Sequence, residues 1–412
     1  MRQPAHPSPQ PGPRSTVAEP GELCEAAQGA LDCRLFEHLD GETARLWDGF
    51  APNHRPDLHS GFLHAAVAGN VVADPAYLML FRRDTLCAIA FCYTLLPDLL
   101  GVIPVWLRRL LQWTIPAVRR GWRPSLRVCG PPVWNGASGI HMAPGINEMD
   151  RKVLLCEIER QLVSSAGEEQ FVFFREFRTD EVQSYAGELD GLGYFGAELL
   201  PGMALEMQWS NLEQYLHTLR SSYRRHFRRD LRAGEALHWE LRESFDDLAD
   251  VAARLFDNVH LQAEFRFERL TAGFFREVSS FGPSRLLVAR DPGSGKVVGV
   301  NLLLFADDYV QFVYIGMDYD RIEPYRLYFN LFERSLIAAI EHGAKRCTLG
   351  ADSYTFKTRL GAEPYVLSGY LWHRRRLVRS LLRTGWRWMF DDIPVMSRRV
   401  FNPDGAVRPE GE

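Results

Sequence analysis

The run Gly350-Ala-Asp-Ser-Tyr-Thr-Phe-Lys-Thr-Arg-Leu-Gly-Ala-Glu-Pro364 gathers Asp352, Tyr354, Lys357 and Arg359 within eight residues. Only four of the 48 basic residues are lysines, at positions 152, 296, 345 and 357, so Lys357 stands out against a background of arginine. Arginine is a planar fork of fixed charge, whereas lysine is a compact point cation whose pKa follows its surroundings. A lysine here suits a site that needs a point cation or a tunable amine. Two other stretches carry chemistry. Asn258-Val-His-Leu-Gln-Ala-Glu-Phe-Arg266 is a polar, aromatic loop holding His260, Gln262, Glu264 and Arg266. A periodic apolar stripe (Leu212, Tyr215, Leu216, Leu219, Tyr223, Phe227) predicts one helix over 212–232. Its other faces carry Arg220, Arg224, Arg225, Arg228, Arg229 and Arg232. Such a face is solvated, binds an anionic ligand, or meets nucleic acid.

The elements that must hold these residues are legible from periodicity. Helices are predicted over 44–69, 147–165 (with Asn147 as cap and Val153, Leu154, Ile158 and Leu162 as the core face), 179–192, 245–258, 270–280 and 325–342. Strands are predicted over 77–81, 86–95, 171–175, 203–209, 237–242, 285–290, 297–305, 309–317, 346–349 and 366–373. The two halves repeat a similar order of elements without a strict sequence repeat. Domains are expected at 23–209, with a basic, Trp-bearing amphipathic insertion at 99–122, and at 210–375. They are flanked by a Pro- and Ser-rich leader (1–22) and a basic amphipathic tail (376–412).

The chain has 412 residues, 46% of them hydrophobic and 24% charged, which suffices for two or three cores. A net charge of −4 argues against a globally basic nucleic-acid binder. Seven scattered cysteines without a CxxC, and a leader without an apolar core, point to a reducing cytoplasm. The histidines show no HExxH and no paired spacing with acids, so no metal is expected, and no GxSxG nucleophile elbow occurs. Gly293-Ser-Gly-Lys296 imitates a phosphate loop, but Val297 follows the lysine and a hairpin turn explains it.

Tyr354-Thr-Phe-Lys357-Thr-Arg359-Leu-Gly361, set after a strand that follows a long helix, resembles the motif of the FemAB/FemX-like (CelD-type) branch of GNAT-superfamily N-acyltransferases. The basic run Ser221–Arg229 and, in the first half, Phe62-Leu63-His64-Ala65-Ala66 are similar to the same group. The resemblance covers roughly 40–375. It implies a mixed α/β fold of two tandem GNAT-like domains, each a mostly antiparallel sheet flanked by helices, and acyl or aminoacyl transfer to an amine.

The resemblance also distributes roles. Backbone N–H groups of a splayed central strand, Val310–Met317 with Tyr314, Ile315 and Gly316, would receive the donor carbonyl. Asp352, Glu264 or His260 would serve as base, and Gln262 and Arg266 would bind the acceptor. Lys357 would steady an oxyanion or a donor phosphate, and Tyr354 would protonate the leaving thiolate. Arg321, Arg326 and Arg359 would meet the donor's phosphates, with Arg224 and Arg225 on an anionic donor or substrate. One departure stands out. The glycine-rich pyrophosphate loop of ordinary GNAT enzymes is replaced by Met317–Tyr328, which has no glycine and three acids. Acyl-CoA is the expected donor and an amine on a small or envelope-related molecule the acceptor. Aminoacyl-tRNA as donor, or an adaptor without catalysis, are the alternatives. Residues 99–122 and 374–390 suggest peripheral membrane contact.

Overall fold

The computed structural model describes residues 31–402 except 97–108, 110–112, 114–124, 134–135, 168–169, 264–267, 352 and 390–397. Strand β1 (Leu31–Phe36) leads to helix α1 (Gly41–Phe50), whose start is set by the Asp40 carboxylate accepting from the N–H groups of Glu42 and Thr43. The helix expected over 44–69 is in fact two. α1 stops before Pro52 and α2 (Ser60–Ala68) starts after Pro56, since proline offers no N–H to continue a helical ladder. β2 (Ala73–Arg82) and β3 (Thr85–Leu95) form a hairpin turned by Arg83 and Asp84, with φ of 45° and 67°. β4 (Leu126–Cys129), β5 (Ile140–Met142), α3 (Glu148–Ser165), β6 (Phe171–Arg178), α4 (Thr179–Gly191) and β7 (Phe195–Glu198) follow. In α3, Leu155 rather than Val153 joins the core, and Val153 is 41% exposed.

The second half runs β8 (Gly202–Glu206), α5 (Leu212–Thr218), α6 (Ser221–Gly234), β9 (His238–Arg242), α7 (Ala249–Gln262) and α8 (Ala272–Val278). Then come β10 (Ser284–Arg290), β11 (Val297–Phe305), β12 (Tyr309–Met317), α9 (Ile322–Tyr325), α10 (Leu327–His342) and β13 (Arg346–Thr348). α11 (Tyr354–Lys357), β14 (Glu363–Tyr365), β15 (Leu367–His373) and α12 (Arg376–Met389) close it. The single helix expected over 212–232 is broken at Leu219 and Arg220. There the chain pairs with the C-terminal segment: Leu219 bridges Phe401, and the Arg220 N–H donates to Val400 O at 2.9 Å.

The fold is mixed α/β with two sheets, as the sequence indicated. Their orders are β1-β2-β3-β4-β6-β15-β7, with β5 beside β3, and β14-β8-β13-β12-β11-β10-β9. Each sheet is antiparallel but for one parallel pair, β4/β6 in the first and β12/β13 in the second. The sheets exchange strands. β8 follows β7 in sequence yet pairs with β13 and β14, and β15 pairs with β6 and β7. A division at 209/210 separates each of these strands from its sheet. One apolar core runs from Phe91 and Phe174 of the first sheet through Phe62 to Phe256 and Phe274 of α7 and α8 and to Val313 of β12. A second core, with Met203, Phe227, Phe312 and Leu336, fills the other face of the second sheet.

Candidate active site at the parting of two parallel strands

β12 pairs along β11 from Val310 to Met317, but the register breaks between Tyr314 and Phe312 and leaves Val313 as an extra residue. On its other side β12 pairs with β13 only over Tyr309–Gln311. β13 then leaves with β8: the Leu349 N–H donates to Met203 O (2.8 Å) and the Met203 N–H to Gly350 O (3.2 Å). Among the described residues no strand runs beside Phe312–Met317 on that edge. The two strands part there, and the backbone groups of one edge line the parting.

Helices wall both faces of β12. α7 crosses so closely over Gly316 that a Cβ there would lie 2.6 Å from the Phe256 backbone nitrogen. Its Asn258 amide donates to Met317 O at 3.1 Å. On the opposite face, Tyr328, Phe329 and Phe332 of α10 surround Phe356 of α11 with ring centroids 4.9–5.6 Å apart. α11 is held by the turn that leaves β13. Gly350 and Ser353 both have positive φ (69° and 53°), and the Lys357 ammonium donates to Gly350 O (3.2 Å) and Ala351 O (2.6 Å). Lys357 is buried and lies 5.5 Å from the Phe332 ring centroid. These contacts aim its charge at the turn. Tyr354 donates to Pro201 O at 3.1 Å, tying α11 to β8, and Arg359 is half-buried in the 3-10 turn that follows.

The other expected residues fall around this parting. Tyr314 faces α7, its ring edge-on to Phe256 at 5.3 Å, and Ile315 packs on the opposite face. His260 is half-buried near the end of α7, its ring 5.4 Å from Phe256, and Gln262 is exposed. Asp352, Glu264 and Arg266 lie outside the described residues. In the loop after β12, Arg321 is 3.7 Å from Asp291, while Arg326 adopts a left-handed backbone (φ 47°) and pairs with Asp230. With Arg326 engaged, the acids Asp318, Asp320 and Glu323 outnumber the remaining arginine of that loop. Cations come from a neighbour instead. α6 packs against α9 and α10, with Arg225, Arg229 and Arg232 exposed and Arg224 half-buried, donating to Leu216 O.

Sequence reasoning missed a buried ionic cluster joining the two sheets beside Tyr314. Arg175 of β6 donates to Glu268, to Glu176 (2.7 Å) and to the Tyr93 hydroxyl (3.0 Å), and the Tyr314 hydroxyl donates to Glu268 at 3.2 Å. Burial first, and the Glu268 carboxylate second, hold the Tyr314 phenol well above its ordinary range. The cluster also shuts the other parallel pair. The Glu176 carboxylate accepts the Gly136 N–H, and Gly139 lies against the Gly130 backbone, so the chain itself occupies the region beyond β4/β6. Two charges inside the apolar run Phe171–Phe177 were the available signal.

Residues 220–358 match the family described as the acetyltransferase (GNAT) domain. The fold as a whole is similar to that of FemX, at 11% identity and a TM-score of 0.54 over 85% of this chain and 100% of that one. L-PGS from Bacillus licheniformis (11% identity, 85% and 97% covered, TM-score 0.49) and a tandem GNAT protein from the clavulanic acid biosynthesis pathway (10%, 83% and 98%, 0.46) are further similar structures. A search of curated proteins found no match. The likeness to GNAT acetyltransferases is thus present in the sequence of residues 220–358, and the fold of the whole is similar to that of FemX.

Proposed function

We propose that the protein transfers an acyl group from acyl-CoA to an amine, with the donor carbonyl seated on the open edge of β12. The observation that carries this reading is the departure of β13 after Gln311, which leaves Phe312–Met317 lined by α7 and α10. Backbone N–H groups fixed in a strand stabilise a developing oxyanion without reorganising. The acceptor amine enters from the α7 side, where His260 takes its proton, with Asp352 and Glu264 as the other carriers of that role; as the C–N bond forms and the C–S bond breaks, CoA leaves as its thiolate and takes up that proton. Gln262 and Arg266 orient the acceptor. Lys357 and Tyr354 serve by fixing α11 against the turn, and the exposed arginines of α6 meet the donor's phosphates beside Arg321 and Arg359. The acceptor is a small or envelope-related amine.

One observation favours a second reading. The arginine face along α6 suits a long polyanion such as an aminoacyl-tRNA, while the acidic loop after β12 offers little to a pyrophosphate. Thermal melting with CoA, acetyl-CoA, long-chain acyl-CoA and aminoacyl-tRNA, with ATP as control, separates the two. A donor at about 100 times its Kd adds about 2.7 kcal/mol. Stabilisation by acyl-CoA and not ATP, with a drop in kcat of about a hundredfold in His260→Gln, is the expected result. Stabilisation by aminoacyl-tRNA alone selects the second reading. No response to any donor would leave a non-catalytic adaptor.

A further inference from the structure

We propose that the outer face of α12 docks on a membrane surface rich in anionic phospholipid. The stretch Arg374–Phe390 carries arginines at 374, 375, 376, 379, 383 and 387 and no acid until Asp391. α12 packs one side on β15 and β7, where the Arg379 guanidinium lies 5.3 Å from the Trp372 ring centroid. Among the described side chains, several on the other side are open. Arg374, Arg375, Arg376, Ser380, Arg383 and Thr384 are exposed, and Leu377 is 80% exposed. Positions 377, 381, 384 and 388 follow one another along one side of the helix, and three of them are Leu, Leu and Trp. Arginines bordering an apolar stripe are the composition that lies in a lipid interface, with cations on headgroup phosphates and apolar side chains below them. A phosphodiester backbone would use the arginines and leave Leu377 without purpose, so charge and apolarity together favour lipid over nucleic acid.

Two further features fit. Arg383 lines a cavity of about 600 Å³ together with Asp190, Ser368 and Tyr370. In the basic stretch 99–122, Trp113 is 82% exposed. No helix among the described residues is long and apolar enough to cross a membrane, so contact of this kind would be peripheral.

Docking is independent of acyl transfer and is read without any donor. The full chain is floated with vesicles of phosphatidylcholine alone, and of phosphatidylcholine with added phosphatidylglycerol. Binding should be at least about tenfold greater on the anionic vesicles and should weaken as salt rises. Leu377→Glu and the pair Arg376→Glu/Arg383→Glu should each cut the bound fraction about tenfold with unchanged melting. If the glutamate at 377 disturbs folding, Leu377→Ser leaves the charge in place and should still weaken binding. Equal binding to neutral vesicles overturns the proposal. So does binding that neither variant reduces, or binding to duplex DNA that matches the anionic vesicles and ignores Leu377→Glu.

Discussion

Lys357 shows how a residue can be picked out by its type while its contacts stay hidden. Its rarity marked it, and it does sit beside the parting of β12 and β13. What no local pattern reveals is where an ammonium points: here it caps the carbonyls of Gly350 and Ala351, which a left-handed turn brings to the same place. Removing the cation would leave the Ala351 carbonyl short of a donor, at about 1–3 kcal/mol, while Gly350 O keeps the Met203 N–H. Lys357→Met should therefore lower stability by about 2 kcal/mol or more in urea denaturation, and Lys357→Arg should not restore it, because a planar fork does not fit a point cation's seat. Full stability with lost turnover would return Lys357 to direct chemistry. The Arg175–Glu268 pair was illegible for the same reason, since its partners lie far apart in sequence and meet only where the two sheets do.

Elements with a clean period were read well, and their interruptions were not. β10, β11, β12 and α10 lie close to where alternation and helical spacing put them. The break between α5 and α6 has no glycine or proline, because its cause is a bridge to Phe401, a contact that periodicity cannot see. Gly234, the last residue of α6, serves close approach, as a Cβ there would lie 2.2 Å from the Asn330 side-chain oxygen. The short strand β5 carries a titratable group with a measurable consequence. His141 packs edge-on to Phe50, with ring centroids 5.4 Å apart, and burial, then Arg55 and His54, push its pKa down to about 4. The folded state thus holds His141 neutral while the unfolded chain takes up a proton near the ordinary imidazole value of 6.5. Stability from this site is complete above pH 6.5 and declines as pH falls towards 4, by at most about 3 kcal/mol. Chemical denaturation at both ends of that window should show a smaller acid loss in His141→Gln than in the parent. An unchanged difference would mean that the imidazole is not held neutral.

On the scale of the whole molecule, the two sheets are tied together. They share the apolar core that runs from Phe91 to Phe274, the Arg175–Glu268 tie, and the exchanged strands β8 and β15. The order of elements was legible. The assignment of those two strands was not, since a buried strand reads alike whichever sheet receives it. Fragments 1–209 and 210–412 should each fail to give a cooperative melt alone, because the first lacks β15 and the second lacks β8. Co-expression should recover a soluble pair with one shared transition. A cooperative melt from either fragment by itself would show that its sheet closes without the borrowed strand. The exchange also sets a clock on biosynthesis. β6 and β7 have no strand between them until β15 leaves the ribosome, and the stretch from Glu198 to His373 takes roughly 10–35 s to synthesise at about 5–20 residues per second. During that interval the nascent chain carries two unpaired strand edges, so slow codons in this stretch would lengthen its exposure to aggregation and its dependence on chaperones.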